Sequence, residues 1–551
     1  NFRELRNQYL KDETFHTHSD TEVFLKLFIR FKEQSFKLLR GFFAAAIYDR
    51  DADELFVVRD RFGKKPLLYF QSGEVFAFAS EMKSLLSFGI PKEVNWDLLP
   101  IYLQLNYIPQ PYTMVKGVKK LNPGSYKVEE IKYYQLRNSP ERYDQFSYEQ
   151  AQKQLIRLMD ESVQLRLISD VPLGAFLSGG IDSSVVVALA SRHTQKLKTF
   201  SIGYRDQPFF DETYYANLVA KKYDTDHTVF SLSNDDFLEH VFDVLDYMDE
   251  PFADSSAIPE YILSYHTRKY VTVALSGDGG DEVFAGYNKH AAEWKLRNRN
   301  WKTKAVTSLG PLWKVLPKSR SNRITNLFRQ LNRYSVAAAF SPGERYWQLA
   351  SLQSKEEASQ LLKKGQLHIN ADLQDEIKKQ FTSSIDGDFN DVLLADMNLV
   401  LLSDMLTKVD LMSMANSLEI RSPFLDQKVV EFAFGLPASY KIDGRMKKRI
   451  VQDAFRPLLP EEIYNRPKKG FEIPLLEWLR KDLWSVVDKD LLSDVFVAEQ
   501  GGFEPRAVEV GDRSQGQVVL KSGVAAGETV VMSGAYALKA RLLKSQIGDA
   551  D

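Results

Sequence analysis

The 551 residues contain no cysteine. That excludes disulfides, thiolate metal sites and a cysteine nucleophile anywhere in them. Long apolar runs are also missing: none approaches the roughly 18 residues that a membrane-spanning helix needs. Neither sign of charge dominates. Lys and Arg number 72 against 74 Asp and Glu, a net charge of −2. This balance argues against non-specific binding to nucleic acid or to an anionic membrane as the main activity. The opening residues Asn1-Phe2-Arg3-Glu4-Leu5-Arg6 are polar and charged, which predicts no secretory leader and a cytoplasmic protein. The first residue is not Met, so the chain is expected to begin inside a domain. What is present is ordinary for a globular protein: 44% hydrophobic, 26% charged and 12% aromatic residues, over a length that predicts several domains.

Residues 1–135 read as strand-rich. Gly41 to Tyr48, Glu54 to Val58 and Val75 to Ala79 are short apolar strands, with a turn at Asp49 to Asp53. Val23, Leu27 and Phe31 fall at helical spacing within Thr21 to Phe36. From about residue 148 the pattern becomes βα alternation. It predicts a helix over Tyr148 to Leu167 and strands at Val171 to Leu177, Thr199 to Tyr204, His227 to Leu232 and Val271 to Leu275. Helices are predicted between them over Asp211 to Tyr223 and Asn234 to Met248. Such alternation implies an α/β fold with a doubly wound parallel sheet, binding ligands beyond the carboxyl ends of its strands. Residues 290–490 are mostly helical, with amphipathic stretches at 374–381 and 388–417. Composition shifts near 497: the last 55 residues hold 8 of the 29 glycines and read as short strands at Ala507 to Val510, Gln517 to Leu520 and Thr529 to Met532.

The most informative stretch is Ser178-Gly179-Gly180-Ile181-Asp182-Ser183-Ser184, between a predicted buried strand and a predicted buried helix. Glycines let the backbone approach an anion, and the free N–H groups of the helix start favour negative charge. The spacing is not that of Walker A, which needs Gly-Lys-Ser/Thr after a longer loop. It is that of a pyrophosphate loop, found where ATP is cut between its α and β phosphates; a plain strand–turn–helix with an Asp cap shares the local pattern. A second turn, Ser276-Gly277-Asp278-Gly279-Gly280-Asp281-Glu282, again follows a strand and opens a helix. Asp278, Asp281 and Glu282 concentrate carboxylates where a polyphosphate would sit, which requires a cation between them, Mg²⁺ by preference. A solvated acidic turn is the competing reading. Basic segments follow at Lys408-Val409-Asp410, Arg445-Met446-Lys447-Lys448 and Arg466-Pro467-Lys468-Lys469-Gly470-Phe471. Cations of this kind stabilise charge on a transferring phosphoryl group, although most helical Lys and Arg are solvated.

Together and in this order, the two Gly-rich turns, Lys408-Val409-Asp410, Arg421-Ser422-Pro423-Phe424-Leu425-Asp426 and Arg466 to Phe471 resemble the glutamine-hydrolysing asparagine synthetases. Ser19 to Glu22, Arg59 to Leu67 and Phe78 to Lys83 resemble that family's amino-terminal glutaminase. The resemblance covers residues 1–490. It implies a partial class II glutaminase (an Ntn-type α+β sandwich) over 1–135, an adenine nucleotide α-hydrolase-like PP-loop synthetase domain over 145–495, and leaves a small β-rich tail over 497–551. It implies a two-step ligase in which aspartate attacks MgATP to give β-aspartyl-AMP and pyrophosphate, and ammonia then displaces AMP. By motif, Leu177 and Ile202 would flank the adenosine. Ser178, Gly179, Gly180, Asp182, Ser183 and Ser184 would hold pyrophosphate, and Ser276 and Gly277 would contact ATP. Asp182 and Asp281 would meet the metal, and Lys448 would stabilise phosphoryl charge. Asp278, where many relatives have Glu, would take the proton from ammonia. Asp249 to Ser256 resembles a segment bordering the acceptor pocket. The substrates implied are aspartate, ATP and either glutamine or ammonia. No nucleic acid or membrane partner is implied, and a homodimer is in keeping with the family.

The chain also departs from that family. Its glutaminase uses an amino-terminal cysteine, an Arg and an Asn-Gly-Glu triplet. Asp20 matches the carboxylate that would bind the glutamine amino group but lacks those partners. The expectation is a truncated glutaminase half that cannot hydrolyse glutamine, or a naturally ammonia-dependent enzyme. The tail resembles the membrane-proximal end of a periplasmic efflux adaptor, which suggests fusion of unrelated sequence. Two further functions compete with the ligase: a β-lactam synthetase-like cyclase that activates an internal carboxylate, and a non-catalytic adaptor module.

Overall fold

The computed structural model describes residues 1–127, 130–206, 211–299, 301–317, 323–362, 370–464, 473 and 475–484, together with the backbone of five strands between 494 and 531. The predicted basic segment at Arg466 to Phe471 lies outside the described residues.

The amino-terminal part is built of four layers. One antiparallel sheet has the order β1-β2-β6-β7 (Ala44–Asp49, Glu54–Arg59, Ser125–Tyr126, Ile131–Lys132). A second has the order β4-β3-β5 (Val75–Ala79, Leu68–Ser72, Val118–Lys120). Alternate residues of β2 explain the layering, because successive side chains leave a strand on opposite faces. Phe56 and Val58 pack with Phe28 under the Asp20–Phe31 helix, while Val57 packs with Leu67, Tyr69 and Leu121 between the sheets. The outer face of the second sheet, through Leu68 and Phe70, is covered by Met82 and Leu85 of the Met82–Phe88 helix. The helix expected to reach Phe36 ends at Phe31, because Lys32 takes φ 47° and the chain continues as a 3-10 turn over Lys32–Lys37.

The second part is a five-stranded parallel sheet of order β10-β9-β8-β11-β12, comprising Asp226–Leu232, Lys198–Tyr204, Leu173–Phe176, Val273–Leu275 and Glu419–Arg421. Ser147 and Gln150 form a reciprocal cap that starts the Tyr148–Arg166 helix. The Ile181–Ala190 helix is buried along every residue from Ser183 to Ala190, as expected of a helix apolar all round. From β8 the chain winds outward through β9 and β10, then returns across the sheet to β11 and β12. Its direction therefore reverses between β8 and β11, and the crevice at such a switch point is where doubly wound sheets bind ligands.

Two helical expectations need correction. The helix over Asn234 to Met248 is two helices, Asn234–Glu239 and Val241–Tyr247, broken at His240. The stretch over 388–417 runs as Asn390–Asp396, a wide π-type segment Met397–Met405, and Leu406–Met414. The Leu402 carbonyl in that segment accepts from the Thr407 hydroxyl at 3.2 Å and from Gln110 Nε2 of the amino-terminal part at 2.9 Å. These donors compensate for the widened turn. The tail is β-structured in its backbone: Asp494–Glu499 pairs with Gly502–Ala507, and Glu509–Ser514 with Gln517–Ser522. The strand expected over Ala507 to Val510 is thus shared between two strands.

Candidate active site

The two glycine turns meet at the switch point. β8 and β11 are neighbours, Leu275 pairing with Ala175, so Ser178 and Ser276 emerge side by side at the carboxyl edge. The first turn is closed by its own hydroxyls. Ser178 N–H donates to Ser183 Oγ at 3.3 Å, the two serine hydroxyls lie 3.0 Å apart, and Gly180 N–H donates to Ser178 Oγ at 3.3 Å. Gly179 has φ +70°, and a Cβ there would sit 2.5 Å from the Ala216 nitrogen, so both dihedral and space require glycine. Gly277 rests directly on the first loop: a Cβ there would lie 2.8 Å from Asp182 Cβ and 2.8 Å from the Ser183 nitrogen. Leu177 is buried and donates its N–H to the Phe200 carbonyl at 2.8 Å, which sets it beside Ile202 of β9.

Lys448 joins the two turns. Its buried ammonium contacts Asp182 Oδ2 and lies 2.7 Å from Asp281 Oδ1. Burial opposes its charge, yet Asp182 and Asp281 outweigh burial and hold the ammonium firmly protonated, above its ordinary range. The residue adopts φ 51°, a left-handed conformation uncommon outside glycine. Gly286 leaves room beside it, since a Cβ there would strike both Asp281 and Lys448. Asp278 is oriented by the Ser276 hydroxyl, which donates to Oδ2 at 2.6 Å. Ser276 in turn lies 3.3 Å from the Ser422 hydroxyl after β12.

Glu282 does not join this carboxylate group, contrary to the sequence expectation. It turns inward, accepts from the Tyr287 hydroxyl at 2.7 Å, and burial, with Asp281 adding, pushes its pKa up to about 7. Asp20 is exposed in the first turn of its helix in the amino-terminal part. Lys408 is buried in an ion pair. Its ammonium lies 2.7 Å from both Asp254 Oδ2 and the Ser256 hydroxyl. Burial works against that cation, but Asp254 and Asp404 keep it charged. Arg421 is spent on Glu419 and on the Arg166 and Ile168 carbonyls.

A neighbouring polar cluster was not legible in the motifs. Glu260 is buried, and burial reinforced by Asp278 pushes its pKa up to about 7 against the pull of Lys408 and Lys64. Lys64 comes from the amino-terminal part, is itself buried, and burial pushes its pKa down against the field of Asp278 and Asp410. A cavity of about 60 Å³ lies between the two parts, lined by Arg59, Lys64 and Gln110 from one side and Glu250, Thr407 and Asp410 from the other. The sequence signals for this cluster were scattered over Arg59 to Leu67, Asp249 to Ser256 and Lys408-Val409-Asp410, with nothing to join them. The parts are clamped elsewhere by Arg40, whose Nε and Nη2 lie 2.8 and 2.7 Å from the Asp426 carboxylate, which Arg166 also holds at 2.8 Å.

Among the described residues no group of three acidic or histidine side chains forms a ready-made metal cage. Asp182 and Asp281 are nonetheless disposed around one positive charge, that of Lys448. A divalent cation that brings phosphate oxygens and water as its remaining ligands fits such a pair.

A helix–sheet–sheet–helix layer joined to a doubly wound sheet, with two glycine turns and a lysine at its switch point, defines a class: an amidotransferase-like domain coupled to a nucleotide-using synthetase domain. Residues 154–516 match the family model of asparagine synthase, and residues 1–143 that of a glutamine amidotransferase domain. The chain is 33% identical over 495 residues to asparagine synthetase [glutamine-hydrolyzing] 1 of Bacillus subtilis (strain 168), covering 88% of this chain and 76% of that protein. It is 32% identical over 505 residues to a putative asparagine synthetase [glutamine-hydrolyzing] of Mycobacterium bovis, covering 87% and 74%. A second putative enzyme of that name from Methanocaldococcus jannaschii is 35% identical over 339 residues, 60% of this chain and 64% of that protein. The chain belongs to the asparagine synthase family.

Proposed function

We propose that this chain makes asparagine from aspartate, ATP and free ammonia, releasing AMP and pyrophosphate. The observation that carries the reading is the meeting of the Ser178–Ser184 and Ser276–Asp281 turns at the switch point, with Lys448 bridging Asp182 and Asp281. The pyrophosphate end of ATP rests in the first turn, on the hydroxyls of Ser178, Ser183 and Ser184 and the N–H groups of Gly179 and Gly180. Leu177 and Ile202 bracket the adenosine, and Ser276 and Gly277 touch the nucleotide from the second turn. Mg²⁺ held by Asp182 and Asp281 would offset charge on the phosphates and orient them. An aspartate side-chain oxygen bonds to the α-phosphorus as the α–β bridging bond breaks, and Lys448 stabilises the charge passing to the leaving pyrophosphate. Ammonia nitrogen then bonds to the acyl carbon, AMP leaves with the former carboxylate oxygen, and Asp278 accepts the proton shed by nitrogen.

The relatives are named glutamine-hydrolysing, but these 551 residues contain no cysteine to act as the nucleophile. Asp20 is carried as the matching glutamine-binding position. Domains are assigned to 1–135, 145–495 and 497–551, with the last taking no part in the chemistry.

The test is asparagine formation with each nitrogen donor. Aspartate, MgATP and ammonium give asparagine and pyrophosphate, and glutamine in place of ammonium gives neither. Pyrophosphate release without added aspartate would favour the cyclase reading. No ATP turnover under any condition would favour a non-catalytic module.

A further inference from the structure

The helices Trp301–Ser308, Gly310–Val315 and Arg323–Ala337 form a layer outside the seven hydrophobic clusters of the described core, none of which includes a residue from these helices. The layer is held to itself by polar contacts: Trp313 Nε1 donates to the Val306 carbonyl at 2.8 Å, and the Ser335 hydroxyl to the Thr307 carbonyl at 3.2 Å. Arg333 ties it to the Ser351 carbonyl at 2.8 Å. After this packing several of its large apolar side chains still face outward. Val315 is 78% exposed, Trp301 74% and Ile324 66%, and Leu309, Leu312 and Leu327 are exposed as well.

The same stretch is the most basic in the chain. The three helices carry six Lys and Arg and neither Asp nor Glu, in a protein whose overall net charge is −2. The near-zero sum that argued against anionic surfaces averages this segment away. Exposed aliphatic and indole groups are unfavourable in water, and crowded like charges repel. One environment relieves both: a boundary with anionic groups outside and hydrocarbon just beneath. A nucleic acid would use the charge but leave Val315, Ile324 and Leu327 in water.

We propose that this helical layer docks the protein onto an anionic phospholipid surface, lying in the interface with Trp301, Val315 and Ile324 in the acyl boundary. The layer does not span the bilayer: no helix among the described residues is long and apolar enough to cross a membrane. Each basic residue near the lipid headgroups strengthens binding roughly fivefold at moderate salt.

The experiment is co-sedimentation of the full 551-residue chain with vesicles of phosphatidylcholine alone or mixed with phosphatidylglycerol. The protein is expected to pellet with the mixed vesicles, to stay in solution with the neutral ones, and to be released by high salt. The double variant Val315→Glu with Ile324→Glu, and separately Lys304→Gln with Lys314→Gln, are each expected to weaken binding about tenfold or more. Both should keep ATP turnover unchanged, which reports an intact fold. Absence of binding to anionic vesicles overturns the proposal, as does equal binding by the glutamate variant. So does a wild type that self-associates in solution and is made monomeric by the glutamate variant without binding vesicles. RNA binding lost in the glutamine variant but kept in the glutamate variant would also overturn it.

Discussion

Replacing Gly277 by Ala tests whether the two turns must touch. A Cβ at Gly277 would stand 2.8 Å from Asp182 Cβ and 2.8 Å from the Ser183 nitrogen. Non-bonded carbon atoms settle near 3.5–4.0 Å, so the turns must separate by roughly 0.7–1.2 Å. The obstructing atoms belong to a backbone and to the root of a side chain, and no rotamer change removes them. Overpacking of this size costs about 1–3 kcal/mol of stability, which lowers the melting temperature without unfolding the protein. Catalysis depends more steeply on position, because a 1 Å misplacement costs on the order of 100-fold in rate. The assay is pyrophosphate release with aspartate, ammonium and saturating MgATP, with melting measured in parallel. Gly387→Ala, where a Cβ meets nothing within 4 Å, serves as the control. A Gly277→Ala enzyme within about threefold of the control would mean that the turns do not jointly hold ATP, and the geometric account of the site would fail.

Lys448→Met leaves Asp182 and Asp281 facing each other without the ammonium between them. Turnover is expected to fall about 100- to 1000-fold, with a lower Mg²⁺ concentration needed for half-maximal rate, because the competing ammonium is gone. A magnesium requirement identical to wild type would contradict the shared-charge reading. Arg40→Ala removes two of the hydrogen bonds on buried Asp426 while Arg166 still holds it. A loss of about 2–3 kcal/mol in unfolding free energy is expected by denaturant titration, and no measurable loss would show that the clamp is not stabilising. Asp396 carries a pH prediction. It is buried and accepts from Lys289 Nζ at 2.7 Å, His290 Nε2 at 2.8 Å and the Tyr346 hydroxyl at 2.7 Å. Burial opposes its charge, but Lys289 and His290 outweigh it and bring its pKa down to about 2. A depressed carboxylate contributes stability above its unfolded pKa and loses it as pH falls through the folded one. About 2 kcal/mol should therefore disappear between roughly pH 4 and pH 2. Asp396→Asn should flatten that part of the stability profile, and an unchanged acid limb would refute the assignment.

The parts of this protein legible in its sequence are those where backbone conformation restricts the residue. Gly179 needs a left-handed φ and Gly277 needs space, so both turns stand out as motifs, and βα alternation identifies the sheet they sit on. The turn at Arg59 to Lys65 was legible only as a family mark. In the structure its Asp60 accepts the N–H groups of Phe62, Lys64 and Lys65, and Lys65 reaches across to Asp410 at 3.1 Å. Contacts of that kind join residues hundreds of positions apart and leave no local periodicity. The same holds for Glu260 beside Asp278 and for Arg40 on Asp426. Helix breaks at His240 and over Met397–Met405 were missed because local spacing continues through them. Charge summed over the whole chain concealed the basic layer of the helices Trp301–Ser308, Gly310–Val315 and Arg323–Ala337, where a windowed count finds it at once.

The central claim is that ATP is cut between its α and β phosphates at the Ser178–Ser184 turn to drive amide formation. The most direct measurement follows both labelled nucleotide and labelled aspartate in one reaction with ammonium. The account predicts AMP, pyrophosphate and asparagine in equal amounts, all abolished in Asp182→Ala. ADP and inorganic phosphate as products, or AMP formed without asparagine in the presence of ammonium, would contradict it.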